Sequence, residues 1–236
     1  MALILAFDTS TKGCSAALFD QDQCLAHAEA VEEGFVHAER LHRLVESLFE
    51  QTERHFDALD AIAIGAGPGS YTGLRIGVSA AKGFAFALEK PLIAIDSLAI
   101  MSESIYGQLK TERPKTIGIF SAIDARRQEV YARIQNGVGE LLMPSQALLL
   151  EEFDPLSLSG AFETVYVVGD ANQKLKVFFA DQLEQLDFRF VDAFPQALHM
   201  GRLALERFRA KDFVSTEYFE PNYLKEVYIT PPKNPQ

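Results

Sequence analysis

Basic residues are in short supply: the 236-residue chain carries 22 Lys and Arg against 33 Asp and Glu, a formal charge of -11. A protein that grips nucleic acid by itself gains from Lys and Arg against the phosphate backbone, so this balance argues against a free-standing nucleic-acid binder. Membership of a complex in which another subunit holds the nucleic acid stays compatible with it. Long apolar runs are missing as well, none reaching the roughly 18 residues that a membrane-spanning helix needs. The opening Met1-Ala2-Leu3-Ile4-Leu5-Ala6-Phe7-Asp8 has no basic start and soon meets an acid, which predicts a cytoplasmic protein without a signal peptide. Cysteine is limited to Cys14 and Cys24, on either side of a turn at Gln21-Asp22. Antiparallel pairing about that turn sets Cys14 opposite about position 29, so no disulfide is expected. Cys-x-x-Cys and His-Glu-x-x-His do not occur. His37 and His42 would lie about 140° apart around a helix and cannot share a metal as an i, i+4 pair does.

What is present is a chain able to bury a large core, 48% hydrophobic and 23% charged, and its length suggests two lobes. Strands are predicted over 3–9, 14–19 and 23–31, punctuated by Ser10-Thr11-Lys12-Gly13 and Asp20-Gln21-Asp22. A helix follows over about 36–54, with Leu41, Leu44, Val45, Leu48 and Phe49 forming one apolar stripe. A buried strand at 61–65, a helix over about 71–88 and a strand at 92–95 imply parallel pairing, so the sheet is mixed and the lobe is α/β. The polar stretch 110–115 divides the chain into lobes 1–110 and 111–236. Beyond it the opening pattern returns: a strand at 116–124 ending in Asp124, as the first ends in Asp8, then a strand at 129–135 and the turn signal Asn136-Gly137. Residues 144–153 read as helical, 164–168 as a strand, and 195–209 as a last helix that packs back on the first lobe. The shared plan suggests an internal duplication.

The segment Gly65-Ala66-Gly67-Pro68-Gly69-Ser70-Tyr71-Thr72-Gly73-Leu74-Arg75-Ile76-Gly77 holds the most pointed signal. Gly69, Gly73, Gly77, Ala81 and Ala85 recur every fourth position, a ridge of minimal side chains along one helix face. A helical glycine costs about 1 kcal/mol against alanine, so something approaches this backbone closely. That neighbour is either the chain's own sheet or first helix, or a partner's helix. A phosphate cradle is the rival reading, but the loop lacks the Gly-Lys-Ser/Thr ending, and Pro68 removes one N–H donor.

This segment, Phe7-Asp8-Thr9-Ser10, Ile123-Asp124-Ala125-Arg126-Arg127-Gln128-Glu129-Val130-Tyr131 and the closing Glu220-Pro221-Asn222-Tyr223-Leu224-Lys225 together resemble the TsaB family. The resemblance implies a duplicated, two-lobe actin-like (ribonuclease H-like) α/β fold with mixed sheets. It implies a non-catalytic scaffold needed for threonylcarbamoyladenosine modification of tRNA next to the anticodon. Implied partners are the catalytic paralogue TsaD and the ATPase TsaE, with tRNA contacted indirectly, a homodimer when the chain is alone, and no membrane. Leu41, Leu44, Val45 and Leu48, with Gly73, Gly77, Ala80 and Ala81, are the expected partner interface. Asp8, Thr9, Ser10, Gly67, Gly69 and Asp124 would be a vestigial nucleotide cleft, with no intrinsic cofactor and ATP or ADP only within the complex. Where active actin-like ATPases place a second glycine-rich loop, this chain has Asp124-Ala125-Arg126-Arg127. No catalytic or metal residue is expected. The alternative is a stand-alone enzyme, either an actin-like ATPase or sugar kinase, or a glycoprotease-like peptidase. Arg202, Arg207, Arg209 and Lys211 read as a solvated helix face.

Overall fold

The structure, a computed structural model, describes residues 2–31, 37–107, 109, 115–182 and 184–225. The first lobe is a five-stranded sheet of order β3-β2-β1-β4-β5. Strands β1 (Leu3–Asp8), β2 (Gly13–Asp20) and β3 (Gln23–Val31) form an antiparallel meander. Strands β4 (Ala61–Gly65) and β5 (Leu92–Ile95) then run parallel to β1. β1 and β4 are apolar at nearly every position because both faces of the sheet are covered.

Helix α1 (His37–Thr52) packs on β2 and β3 through the inward stripe of Leu41, Val45 and Leu48. Helix α2 (Tyr71–Ala87) connects β4 to β5 and is capped by Ser70, whose Oγ accepts from Gly73 N at 3.3 Å. Helix α3 (Ser97–Tyr106), capped by Asp96 through Ala99 N at 2.9 Å, lies between the two sheets. Ile100 faces the first core, while Leu98, Met101 and Ile105 pack with Ile119, Ile123 and Val168 of the second.

The second sheet repeats the plan with order β10-β9-β6-β7-β8. β6 (Ile117–Asp124), β7 (Glu129–Asn136) and β8 (Leu141–Leu149) are antiparallel neighbours; β9 (Thr164–Gly169) and β10 (Asp187–Val191) are parallel additions. The duplicated, mixed-sheet α/β arrangement is therefore the fold of the chain. The 110–115 boundary falls largely outside the described residues.

The helix expected over 144–153 is not there. Gln146, Ala147, Leu148 and Leu149 instead pair with Ala132, Tyr131, Val130 and Glu129, completing the meander of the second lobe, and a 3-10 turn follows at Leu150–Glu152. Pro144 fits because it sits on an edge strand where the register shifts between Ala132 and Ile134. The last helix also opens later than expected: a 3-10 turn at Ala197–His199 precedes α5 (Gly201–Ala210). A short helix, α4 (Asn172–Phe178), intervenes between β9 and β10.

Helix α5 returns to the first lobe, where Met200, Ala204 and Leu205 pack on Ile4, Ala6, Ile93 and Ile95. Its basic residues are held within the chain: Arg202 by Glu103 and Glu206, Arg207 by Asp212 and Arg209 by Gln21. Cys14 lies opposite Ala30 and both cysteines are free thiols.

Candidate functional site

The glycine ridge of α2 faces inward. A Cβ on Gly69 would stand 2.1 Å from the Ser10 carbonyl oxygen, one on Gly73 2.1 Å from that of Thr9, and one on Gly77 2.2 Å from Thr9 Oγ1. The helix thus lies directly on the turn between β1 and β2. Thr9 Oγ1 donates to Gly73 O at 2.7 Å, and Ser70 N donates to Ser10 O at 2.6 Å. Ala81 and Ala85 continue the ridge into the core. Of the eight residues expected at a partner interface, Leu41, Val45, Leu48, Gly73, Gly77 and Ala81 are buried inside this chain, and only Leu44 and Ala80 reach the surface, both half-buried. The close neighbour that the glycine spacing demands is the chain's own β1–β2 turn.

The expected nucleotide cleft is closed in the same way. Asp8, Thr9 and Ser10 are fully buried. Asp8 Oδ1 accepts from Ser10 N and Ser10 Oγ, both at 2.8 Å, whereas Oδ2 has no hydrogen-bond partner. A Cβ on Gly65 would stand 1.7 Å from that oxygen, so only glycine fits there. Burial pushes the Asp8 carboxyl up to about 7, the two Ser10 hydrogen bonds opposing the shift. The loop before α2 directs its N–H groups into the protein: Ala66 N to Ile95 O at 2.7 Å, Gly67 N to Ser97 Oγ at 3.1 Å. Gly67 adopts a φ of +101°, and Asn222 N bonds Ala66 O at 2.8 Å from the outer side.

Asp124, equivalent to Asp8 in the repeat, has opposite surroundings. It is exposed, ion-paired to Lys174 at 2.6 Å, and accepts from Arg126 N at 2.7 Å; its own N–H donates to Asp170 Oδ1 at 2.9 Å. Arg126 and Arg127 both hold left-handed backbone, φ 68° and 50°. One acid is sealed beneath a helix and the other is neutralised at a hairpin, so the pair builds no common acid-base site.

The open feature lies on the outer side of α2. A groove of about 880 Å³ runs between it and α1, lined by His42, Phe56, Ile76, Ala80, Gly83, Phe84 and their neighbours. Its floor is aromatic: Phe56 stacks on Phe84 with ring centroids 6.1 Å apart, and Phe84 meets Phe7 of the core at 6.1 Å. Phe86 projects beside it, 82% exposed. Gly83 sits mid-helix, where a Cβ would meet no atom within 4 Å beyond the helix's own backbone among the described residues. Of this face, sequence reasoning named Ala80 alone among the expected interface residues. The fuller signal is an apolar stripe at 76, 80, 83, 84 and 87, about a quarter turn round the helix from the glycine ridge.

A family model described as "TsaD: tRNA N6-adenosine threonylcarbamoyltransferase" matches residues 35–227. The chain is 31% identical to the tRNA threonylcarbamoyladenosine biosynthesis protein TsaB of Escherichia coli, covering 94% of each chain. It is 28% identical to TsaB of Haemophilus influenzae over 94% of this chain and 93% of that one. Among solved structures, YeaZ from Pseudomonas aeruginosa is similar at 30% identity and a TM-score of 0.77, over 95% of this chain and all of that one. A second structure, of an uncharacterized Pseudomonas aeruginosa protein with similarity to peptidase YeaZ, matches at 30% identity and a TM-score of 0.80 with the same coverage. The chain belongs to the TsaB (YeaZ-like) family, within the wider family that the TsaD model describes.

Proposed function

We propose that this chain is the non-catalytic scaffold of a tRNA threonylcarbamoyladenosine synthase, and that it docks a TsaD-like catalytic subunit on the groove between α1 and α2. The observation that carries the reading is Gly83. A mid-helix glycine costs about 1 kcal/mol against alanine, and here no neighbour among the described residues requires it. It lies instead in an apolar groove beside the exposed Phe86, where a second helix can approach the backbone closely. The relatives' names supply the pathway, threonylcarbamoyladenosine biosynthesis on tRNA.

A TsaE-like ATPase completes the complex, which works in the cytoplasm. With 33 acids against 22 bases, the chain leaves tRNA to its partners. Alone, it covers the groove by pairing with a second copy. Nucleotide belongs to the assembled complex, because the loop before α2 spends its N–H groups on Ile95 and Ser97. The stand-alone ATPase or peptidase reading finds no comparable support.

Reconstitution with the cognate TsaD-like and TsaE-like subunits, followed by nucleoside analysis of tRNA, tests the proposal. Threonylcarbamoyladenosine is expected only when all three are present. Modification that proceeds unchanged without this chain, or micromolar binding of ATP and magnesium by the isolated chain, would count against it.

A further inference from the structure

The segment after α5 is woven into the groove's edge. Val214 bridges to Leu92, and Lys82 of α2 donates from Nζ to the carbonyls of Glu217 and Phe219 at 3.0 and 3.1 Å. Asn222 packs on Gly67 and bonds Ala66, and Lys225 ion-pairs with Glu129 of the second lobe. Pinned along the start of α2, the tail sets Tyr223 beside Tyr71 with ring centroids 5.2 Å apart. The guanidinium of Arg75 lies 4.2 Å over the Tyr71 ring, the ring against which Tyr223 packs.

Arg75 is exposed and lines the groove. Among the described residues no Asp or Glu lines it, in a chain that carries 33 of them. Glu220 of the tail is close enough for its charge to be felt, yet among the described residues no ion pair forms with Arg75. A guanidinium offers a planar fork of donors that matches a carboxylate. It already rests on the Tyr71 ring, which Tyr223 backs, so part of the ordering cost of a contact is met before a partner arrives. A carboxylate brought in on an apolar helix would be partly desolvated at this edge, where a charge-assisted pair is stronger than in open water.

We propose that the closing segment is a component of the docking face: by packing Tyr223 on Tyr71 it positions Arg75 as the receptor for a carboxylate on the docking helix of the catalytic subunit. This rests on the groove being the docking site, and it specifies the occupant as an apolar helix that carries an acid. Tyr223 is a positioning residue. A second copy fits less well, because docking groove to groove brings two acid-free surfaces together and leaves each Arg75 without a carboxylate from the facing groove.

Isothermal titration of the full chain with its cognate TsaD-like subunit at about 50 and 300 mM NaCl, for wild type, Gly83→Trp, Arg75→Gln and Tyr223→Ala, separates the two readings. Thermal melts confirm that each variant folds. Gly83→Trp, which adds bulk in open space, is expected to abolish binding. Arg75→Gln should weaken binding about tenfold at low salt and flatten its salt dependence. Tyr223→Ala, which removes the ring that backs Tyr71, should weaken it about threefold and keep the salt dependence. If Gly83→Trp abolishes binding while Arg75→Gln binds within twofold of wild type with the same salt dependence, the receptor proposal falls and the docking face stands. If Gly83→Trp binds normally, both fall. Sedimentation of the isolated chain supplies a further check: Arg75→Gln that breaks a homodimer but spares the complex would assign Arg75 to the second copy and overturn the proposal.

Discussion

The two faces of α2 are both built from small and apolar residues, and they do opposite things. On the inner face Gly69, Gly73 and Gly77 vanish so that Thr9 and Ser10 can lie against the helix backbone, with distances that leave no room for a single methyl. On the outer face Ile76, Ala80, Gly83 and Phe84 line a groove, and among the described residues Gly83 has space where a side chain would go. The lesson is that a glycine in a helix reports a close approach without saying from which side. The neighbour's identity is decided by whatever already stands within van der Waals reach. For the inner face that is this chain; for the outer face it is the partner we propose.

The comparison can be broken most severely at Gly73. A Cβ there runs into the Thr9 carbonyl oxygen, a backbone atom that cannot swing aside, so Gly73→Ala is expected to cost about 4 kcal/mol or to prevent folding. Urea denaturation by circular dichroism measures it, and a loss under about 1 kcal/mol would mean that the inner face is loosely packed.

The turn beneath that face gives the next effect, through Asp8. Its carboxyl is raised by burial to about 7 from an unfolded value near 4, so the folded state binds the proton more tightly. Stability from this group is greatest below pH 4 and is lost as pH rises through 7, a drop of about 2–3 kcal/mol between pH 5 and 8. Asp8→Asn should remove that dependence, leaving a variant more stable than wild type at pH 8. Equal slopes of stability against pH in the two proteins would contradict it. The smallest expected effect has the reverse sign: Gly83→Ala should raise stability by about 0.5–1 kcal/mol, since nothing among the described residues opposes the methyl, while weakening the complex.

Much of the fold could be read directly from residue patterns. The alternation of small apolar strands with polar turns placed the first meander, and the recurrence of an acid-ended strand at Asp8 and Asp124 exposed the duplication. Strand β8 escaped because the run 147–150 is apolar without alternation, and only its pairing with β7 settles strand against helix. Of the groove we propose for docking, the spacing argument named Ala80 and not the residues around it. Four-residue spacing picked out Gly73, Gly77 and Ala81, but which face meets Thr9 depends on how α2 docks on β1, a contact some 64 residues away in sequence. The tail's role was hidden by greater distance still, since Lys82 and Phe219 are 137 positions apart.

The central claim is that the outer face of α2 serves another subunit while the inner face serves the fold. Size-exclusion chromatography of Gly83→Trp with the cognate TsaD-like subunit, beside a thermal melt of the variant alone, tests it most directly. The account predicts a melting temperature within a few degrees of wild type and no co-eluting complex. A variant that melts normally and still co-elutes in full would contradict it.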